Sequence, residues 1–336
     1  MKKSGFLKHG LLAFMVFAVL GLNACKETKK EAEKEMEEVA KAEEKEPFFK
    51  LSLAQWSIHR MIREEGMDPY SFAEKAKAWG FEGLEYVSQL YEEELEKSNY
   101  SEEAMAMFVE KCNAEAKKHG LKNVLIMIDH AGDLSVNDKK ERDAAIEKHA
   151  IWVDAAAAMG CTSVRVNLFG GAAEKNPEEW HKNSVDAMGR LAAYASKKNI
   201  NVIVENHGGL SSDAEKVVAV IKEINMPNCG TLPDFGNFCV KRDSGERWGG
   251  NCIEEYNIYK GVAEMMPYAK GVSAKSHDFD KEGNETAIDY TKMLQIVKDA
   301  GYTGYIGVEY EGDVMGEEAG IMATKELLLN AAKHVE

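Results

Sequence analysis

From Phe48 to the C-terminus, short apolar runs alternate with longer stretches whose apolar positions recur at helical spacing. Runs this short, bounded by glycine and polar residues, read as strands, and the stretches between them as amphipathic helices. The candidate strands are Leu51–Ser57, Gly83–Val87, Asn123–Ile128, Ser163–Leu168, Ile200–Val204, Gly230–Leu232, Ala269–Ala274 and Tyr305–Val308. Helix starts are marked at Asp68-Pro69 and Asn176-Pro177, each a capping side chain followed by proline at the first helical position. Ser212-x-x-Glu215 reads as a capping box. Helices are expected to stop at Gly80, Gly120, Gly160 and Gly301, just before the next strand, and Asn199 nearly continues that spacing. Met105, Met107 and Phe108 are expected in the core between helices and sheet.

Regular alternation of strand and helix implies a parallel sheet with helical crossovers. Strand-plus-helix units filling residues 48–336 fit an α/β fold of the (β/α)8 TIM-barrel type. An open doubly wound sheet would usually announce a G-x-G-x-x-G turn, and the sequence has none. One loop, Phe235 to Ile253, breaks the rhythm and carries Trp248-Gly249-Gly250. A connection of this length is usually functional, and it is expected over the barrel mouth. Cys239 and Cys252 lie within it and are able to pair in an oxidising compartment.

The active sites of such barrels lie at the C-terminal ends of the strands. Those ends are polar throughout: Trp56 and His59, Glu85, Asp129, Arg165 and Asn167, Glu205-Asn206-His207, Asp234 and Asn237, Lys275 and His277, and Glu309-Tyr310-Glu311. The clearest is Ile200–Val204, an apolar run that stops on Glu205, Asn206, His207 and two glycines. Glu205, Asp234, His277 and Glu309 come from four consecutive barrel strands and converge on one mouth. Three carboxylates and an imidazole make a mixed oxygen and nitrogen site for one divalent ion, Mn²⁺, Co²⁺ or Mg²⁺, with Zn²⁺ also admitted. Without a cation these acids would repel one another. Candidate substrate contacts are His207, Asn237, Lys275, Trp56, His59, Glu85, Arg165 and Asn167. Plainer roles stay open for several of them. His207 would then be a loop histidine, Lys275 a salt-bridge partner rather than a stabiliser of an oxyanion, and Arg165 or Asn167 a group that satisfies buried acids.

Three segments carry a family resemblance: Val204-Glu205-Asn206-His207-Gly208-Gly209, Leu232-Pro233-Asp234-Phe235-Gly236-Asn237-Phe238 and Gly304-Tyr305-Ile306-Gly307-Val308-Glu309-Tyr310-Glu311-Gly312. From Phe48 to the end the chain resembles the sugar phosphate isomerase/epimerase proteins of the xylose-isomerase-like barrel superfamily, which includes ketose 3-epimerases and inosose dehydratase. The resemblance implies that Glu205, Asp234 and Glu309 bind one divalent metal and that Glu205 and Glu309 also move protons. It breaks at strand seven. Ser273-Ala274-Lys275-Ser276 has serine where the family commonly has a metal-binding histidine, with His277 four residues later.

Charge and leader narrow the function. Lys2, Lys3 and Lys8 precede the apolar run Leu11–Leu20, and Leu22-Asn23-Ala24-Cys25 resembles the lipobox of bacterial lipoproteins. Residues 1–24 are expected to be a signal peptide, with Cys25 becoming the lipid anchor. Residues 25–47, rich in Lys, Glu and Ala, are expected to be a solvated tether, leaving 48–336 as the catalytic domain. Losing residues 1–24 removes three lysines and no acids, taking the net charge from −15 to −18. Such a surface opposes nucleic-acid binding. The resulting expectation is an exported lipoprotein on the periplasmic or cell-surface side of a membrane, acting on a small sugar or polyol. Export favours an unphosphorylated substrate. The expected reaction is epimerisation or isomerisation by proton transfer next to a carbonyl. Loss of a leaving group from the same intermediate would make it a dehydratase or lyase on a keto-sugar or 3-keto-glycoside, and a non-catalytic sugar-binding lipoprotein is the alternative of another class.

Overall fold

A computed structural model describes residues 46–336. Cys25, the signal segment and nearly all of the expected tether lie outside the described residues. The barrel strands are β1 (Lys50–Ala54), β2 (Gly83–Val87), β3 (Lys122–Met127), β4 (Ser163–Val166), β5 (Asn201–Glu205), β6 (Cys229–Leu232), β9 (Val272–Ser276) and β10 (Tyr305–Tyr310). A separate antiparallel hairpin, β7 (Cys239–Arg242) and β8 (Cys252–Glu255), occupies the long loop after β6. The barrel strands are all parallel and neighbour one another in the order β6-β5-β4-β3-β2-β1-β10-β9. Parallel bridges Thr231↔Ala269 and Asp234↔Ser273 join the two ends of that order, so β6 meets β9 and the sheet closes. Helices α1 (His59–Arg63), α2 (Phe72–Ala78), α3 (Glu92–Leu95), α4 (Glu102–His119), α5 (Lys139–Met159), α6 (Pro177–Ser196), α7 (Ala214–Ile224), α8 (Ile258–Met265), α9 (Tyr290–Asp299) and α10 (Glu317–Lys333) lie between and after the strands.

Each expected strand is present, Gly83–Val87 with its bounds unchanged and the others with one or both ends shifted. β1 stops at Ala54 because the chain turns into a 3₁₀ helix over Gln55–Ile58. Buried Gln55 donates to Tyr91 Oη at 2.8 Å, and Ser57 Oγ accepts from the Tyr310 amide at 3.0 Å, so this turn plugs the first strand end. β9 starts three residues later than expected, since Ala269 and Lys270 are used to meet β6: the Lys270 amide donates to the Thr231 carbonyl at 3.0 Å.

The punctuation reads as the spacing suggests. Gly120 and Gly160 end α4 and α5 in the left-handed region, and Asn199 adopts φ 59° before β5. Helix α7, however, is capped by Asp213, whose side chain accepts from the Lys216 amide, and not by Ser212. Ser212 instead donates to the Asn237 carbonyl at 2.6 Å. Met105 and Phe108 are buried, but Met107 is 53% exposed. At 100° per residue it falls off the stripe that its two neighbours define.

His149 on α5 is buried beneath β3 and β4, with Nδ1 2.7 Å from the Ala145 carbonyl. Burial pushes its imidazole down from 6.5 to about 4. Above pH 6.5 it is neutral whether folded or not. Between pH 6.5 and 4 the unfolded chain takes up a proton that the folded chain refuses, so stability falls as pH falls, by about 3 kcal/mol at pH 4. His149→Gln is expected to flatten this part of the pH profile of the urea midpoint. An unchanged slope between pH 7 and 4.5 would remove His149 as its cause.

Candidate metal and substrate site

Side chains two apart on a strand share a face. Leu125, Ile203 and Leu232 meet low in the barrel, near where a Cβ on Gly271 would sit. On β5, Glu205 is one step above Ile203 on the same face and ends the strand. Asp234 lies two residues beyond β6, and Glu309 is on β10. One ligand atom from each of these three carboxylates lies within 4.8 Å of the others, and all three residues are buried. Hydrogen bonds hold two of them. Asn206 donates to the Asp234 carbonyl at 3.0 Å and accepts the Asp234 amide at 2.8 Å, while Asp234 Oδ1 accepts the Gly236 and Asn237 amides. Asn237 Nδ2 donates to Glu205 Oε1 at 3.3 Å. Ser273 Oγ stands between the other pair, 2.6 Å from Asp234 Oδ2 and 2.8 Å from Glu309 Oε2.

Two cations border this cluster. Arg165 Nη1 donates to Asp129 Oδ1 at 2.7 Å, and its Nε lies 2.8 Å from Glu205 Oε2. Lys275 Nζ is 2.7 Å from Glu311, 3.3 Å from Glu309 and 3.8 Å from Asp234. Arg165 and Lys275 therefore face five carboxylates: Asp129, Glu205, Asp234, Glu309 and Glu311. Burial raises Glu205, Asp234 and Glu309 above the usual carboxylate range, more than Arg165 and Lys275 pull them back. Glu311 goes the other way: burial opposes its charge, but Lys275 holds it down to about 2. Burial and Arg165 push His207 down to about 3, so it is neutral near pH 7. Its Nδ1 lies 2.8 Å from Asn167 Oδ1.

Above the acids is a cavity of about 300 Å³ lined by Trp56, Asp129, Arg165, His207, Glu309 and Glu311, with Phe169 and Trp248 on one wall and Val87, Gln89 and His130 around the rest. The turn of hairpin β7–β8 supplies Trp248 to that wall, and the segment after β4 supplies Phe169. Cys239 and Cys252 form a disulfide across the hairpin. Arg247 in its turn pairs with Glu174 at 3.1 Å, donates to the carbonyls of Phe169 and Gly208, and lies over the Phe169 ring. Trp248 then rests against His207, with ring centroids 4.9 Å apart. The two glycines after β5 make room for this: Gly208 and Gly209 both have positive φ, and a Cβ on Gly209 would collide with the Glu174 carboxylate.

Among the expected contacts, Trp56, Arg165 and His207 reach the cavity. Asn167 and Asn237 instead brace Asp129 and Glu205. Lys275 is 1% exposed and fully engaged with the acids. Three expectations are corrected. His277 is exposed and outside the carboxylate cluster, because β9 ends at Ser276 and the chain leaves the barrel there. Glu85 points into the barrel below the cavity, where Ser52 Oγ donates to it at 2.5 Å and the missing side chain of Gly307 leaves it space. Burial pushes Glu85 up to about 8. His59 stacks on Trp56 and turns Nδ1 to the Trp56 carbonyl at 2.6 Å, bracing that indole from behind. Phe169, Gln89, Arg247 and Glu174 were not singled out from the sequence. They sit in the connections that follow the strands, in loops or short 3₁₀ turns, where no periodicity points to them. Glu311 had a signal, since it shares the parity of Glu309 on one strand end.

The trio fits a divalent cation. Glu205 Oε2 is a buried carboxylate oxygen without a hydrogen bond, despite its short distance to Arg165. A buried charge left in that state is costly. A cation among Glu205, Asp234 and Glu309 would satisfy it and relieve the excess of negative charge.

The family model described as xylose isomerase-like TIM barrel matches residues 73–331. A curated protein, the 3'-dehydrocarminate deglycosidase alpha subunit of Microbacterium sp, is 22% identical over 194 aligned residues, covering 39% of this chain and 56% of that protein. The chain therefore spans little more than half the length of that relative. Among solved structures, the IolI protein with a bound zinc atom superposes with TM-score 0.62 at 16% identity, over 84% of this chain and 98% of that one. The 3-keto-D-glucoside 4-epimerase of E. coli superposes with TM-score 0.60 at 15% identity, over 83% and 98%. At such identities the structural likeness establishes the barrel and not the reaction.

Proposed function

The chain belongs to the xylose isomerase-like TIM barrel family, and from that premise we propose that it is an enzyme that moves a proton next to the carbonyl of an unphosphorylated sugar or cyclic polyol, as an epimerase or isomerase. The observation that carries the reading is the buried trio Glu205, Asp234 and Glu309 beneath a cavity of sugar size that Glu309 lines. A divalent ion held by these three would polarise the substrate carbonyl as a Lewis acid.

The chain's own groups account for the rest. In the reacting state, one of Glu205 and Glu309 is ionised and takes the proton from the carbon beside the carbonyl, and the other is protonated and returns one. Return to the opposite face of the same carbon inverts it; return to the neighbouring carbon, with an O–H proton moving in compensation, exchanges aldose for ketose. Arg165 and Lys275, engaged by the acids, offset part of the negative charge of the cluster. The neutral imidazole of His207 and the carboxylates of Asp129 and Glu311 offer hydrogen bonds to hydroxyls. A phosphate finds little here: Arg165, the cation lining the cavity, is already committed to carboxylates, and Arg247 at its rim is paired with Glu174.

A second reading, favoured by the deglycosidase relative and the aromatic wall of Phe169 and Trp248, is elimination. Removal of the same proton would then be followed by loss of the aglycone from the carbon β to the carbonyl, leaving as its conjugate acid. The test for both is incubation with keto-sugars and 3-keto-glycosides in deuterated buffer containing Mn²⁺, followed by NMR. Exchange of the C–H beside the carbonyl, with inversion or with aglycone release, is expected. Saturable binding of the same sugars with no exchange would overturn catalysis in favour of a binding protein.

The proposal extends to location: an exported lipoprotein anchored through Cys25. The Cys239–Cys252 disulfide supports an oxidising compartment. Membrane fractionation is expected to place the wild type with the membrane and Cys25→Ser in the soluble fraction. Equal membrane retention of both would sink the anchor.

A further inference from the structure

We propose that Ser273 makes this an all-oxygen site, tuned to a hard cation of the Mg²⁺ or Mn²⁺ kind and against Zn²⁺. The inference rests on the reading that Glu205, Asp234 and Glu309 hold a divalent ion, and concerns what this chain adds to them. Among the described residues, that cluster contains three carboxylates and neither imidazole nor thiolate. The two nearby histidines are accounted for. His207 has Nδ1 committed to Asn167 and leans on Trp248, and His277 is exposed beyond the end of β9.

Ser273 occupies the fourth side of the cluster. It is held there from both flanks, by its register opposite Gly307 on β10 and by the parallel bridge to Asp234 that closes the barrel. Its side chain is buried, and Oγ touches a carboxylate oxygen of Asp234 and one of Glu309. A hydroxyl has one proton, so it can donate to only one of them at a time. Its remaining capacity is that of a neutral oxygen donor aimed between two anionic ones. Carboxylate, hydroxyl and water oxygens suit Mg²⁺, Ca²⁺ and Mn²⁺, whereas an imidazole nitrogen adds affinity for Zn²⁺ and its neighbours in the transition series. A histidine at 273 would project further than serine and put its ring nitrogen among the same three carboxylates. Serine leaves that volume to oxygen ligands. Lys275, whose ammonium lies against Glu309 and Asp234, weakens the site electrostatically for any cation and so leaves ligand type to set the preference.

The test uses the full chain in detergent. Metal content after equilibrium dialysis against Zn²⁺ and Mn²⁺, separately and in competition, is measured by mass spectrometry for wild type, Ser273→His and Asp234→Asn. Ser273→His is expected to raise the affinity for Zn²⁺ over that for Mn²⁺ by at least roughly tenfold, the lower end of what a change around a metal ligand produces. In parallel, electron spin-echo measurement on Mn²⁺ bound to the wild type is expected to show no coupling to a directly bound imidazole ¹⁴N; this arm does not depend on the variant folding. Imidazole coupling in the wild type overturns the proposal while leaving the trio as ligands. So does an unchanged Zn²⁺ to Mn²⁺ ratio in a folded Ser273→His. Absence of metal from the wild type, or full retention in Asp234→Asn, overturns the trio itself.

Discussion

Glu205→Gln and Glu309→Gln are each expected to lose at least roughly 10²-fold in turnover, the usual worth of a positioned acid or base. The amide keeps the shape of the side chain and removes its ability to take a proton. The physical case lies in how differently three neighbouring glutamates are held. Glu311 is kept ionised at about 2 by Lys275, so it stays a fixed charge across the working pH range. Burial raises Glu205 and Glu309, with Arg165 beside the first and Lys275 beside the second, so a proton on either costs far less than on Glu311. A carboxyl that burial makes easier to protonate is one able to take up a proton and hand it on. The assay is deuterium exchange into the substrate, run with matched metal occupancy. One variant is expected to retain exchange without inversion, because a single surviving glutamate still removes and returns the proton on one face. Wild-type turnover in either metal-loaded variant would end the two-glutamate mechanism.

Arg165→Met is expected to lower stability by about 3–5 kcal/mol, the cost of removing one partner from a buried ion pair. Arg165 is 4% exposed and lies between Asp129 and Glu205, both on its own side of the barrel. Methionine preserves the apolar stem and strands both carboxylates. In the wild type Arg165, outweighing burial, holds Asp129 below the usual range. The stability this confers is present above the unfolded pKa and is lost as pH falls through the lower folded one. The variant's deficit is therefore largest near pH 7 and shrinks toward pH 4, where the stranded carboxyls bind protons. Adding Asp129→Asn to Arg165→Met should recover part of the loss at pH 7. Urea melts at the two pH values decide: a deficit independent of pH would mean that Arg165 contributes packing rather than charge.

Much of the barrel was legible along the chain, because its signals are local. Buried parallel strands require continuous apolar runs, and helix ends require residues able to cap or to turn left-handed, so Ile200–Val204, Gly120 and Gly160 announce themselves. The acids also stood out, since Glu205, Asp234 and Glu309 follow apolar runs where a soluble protein has little reason to bury charge. Strand parity was enough to draw Glu205 and Glu309 inward.

Distances between strands were not legible. His277 has the parity of Ser273 and a ligand's chemistry, but β9 ends at Ser276 and carries it out of the site. Glu85 has the right residue type and face, yet the stagger of the strands sets it a layer too deep, beside Ser52 and under Gly307. The wall of the cavity depends on contacts between loops far apart in sequence, such as Arg247 with Glu174, which have no period to reveal them. Ser273 shows both sides of the division. Its identity was plain in the sequence as the absence of a histidine. That its hydroxyl lies against Asp234 and Glu309 was decided by closure of the barrel, because only the meeting of β6 with β9 brings an oxygen from one strand between carboxylates from two others.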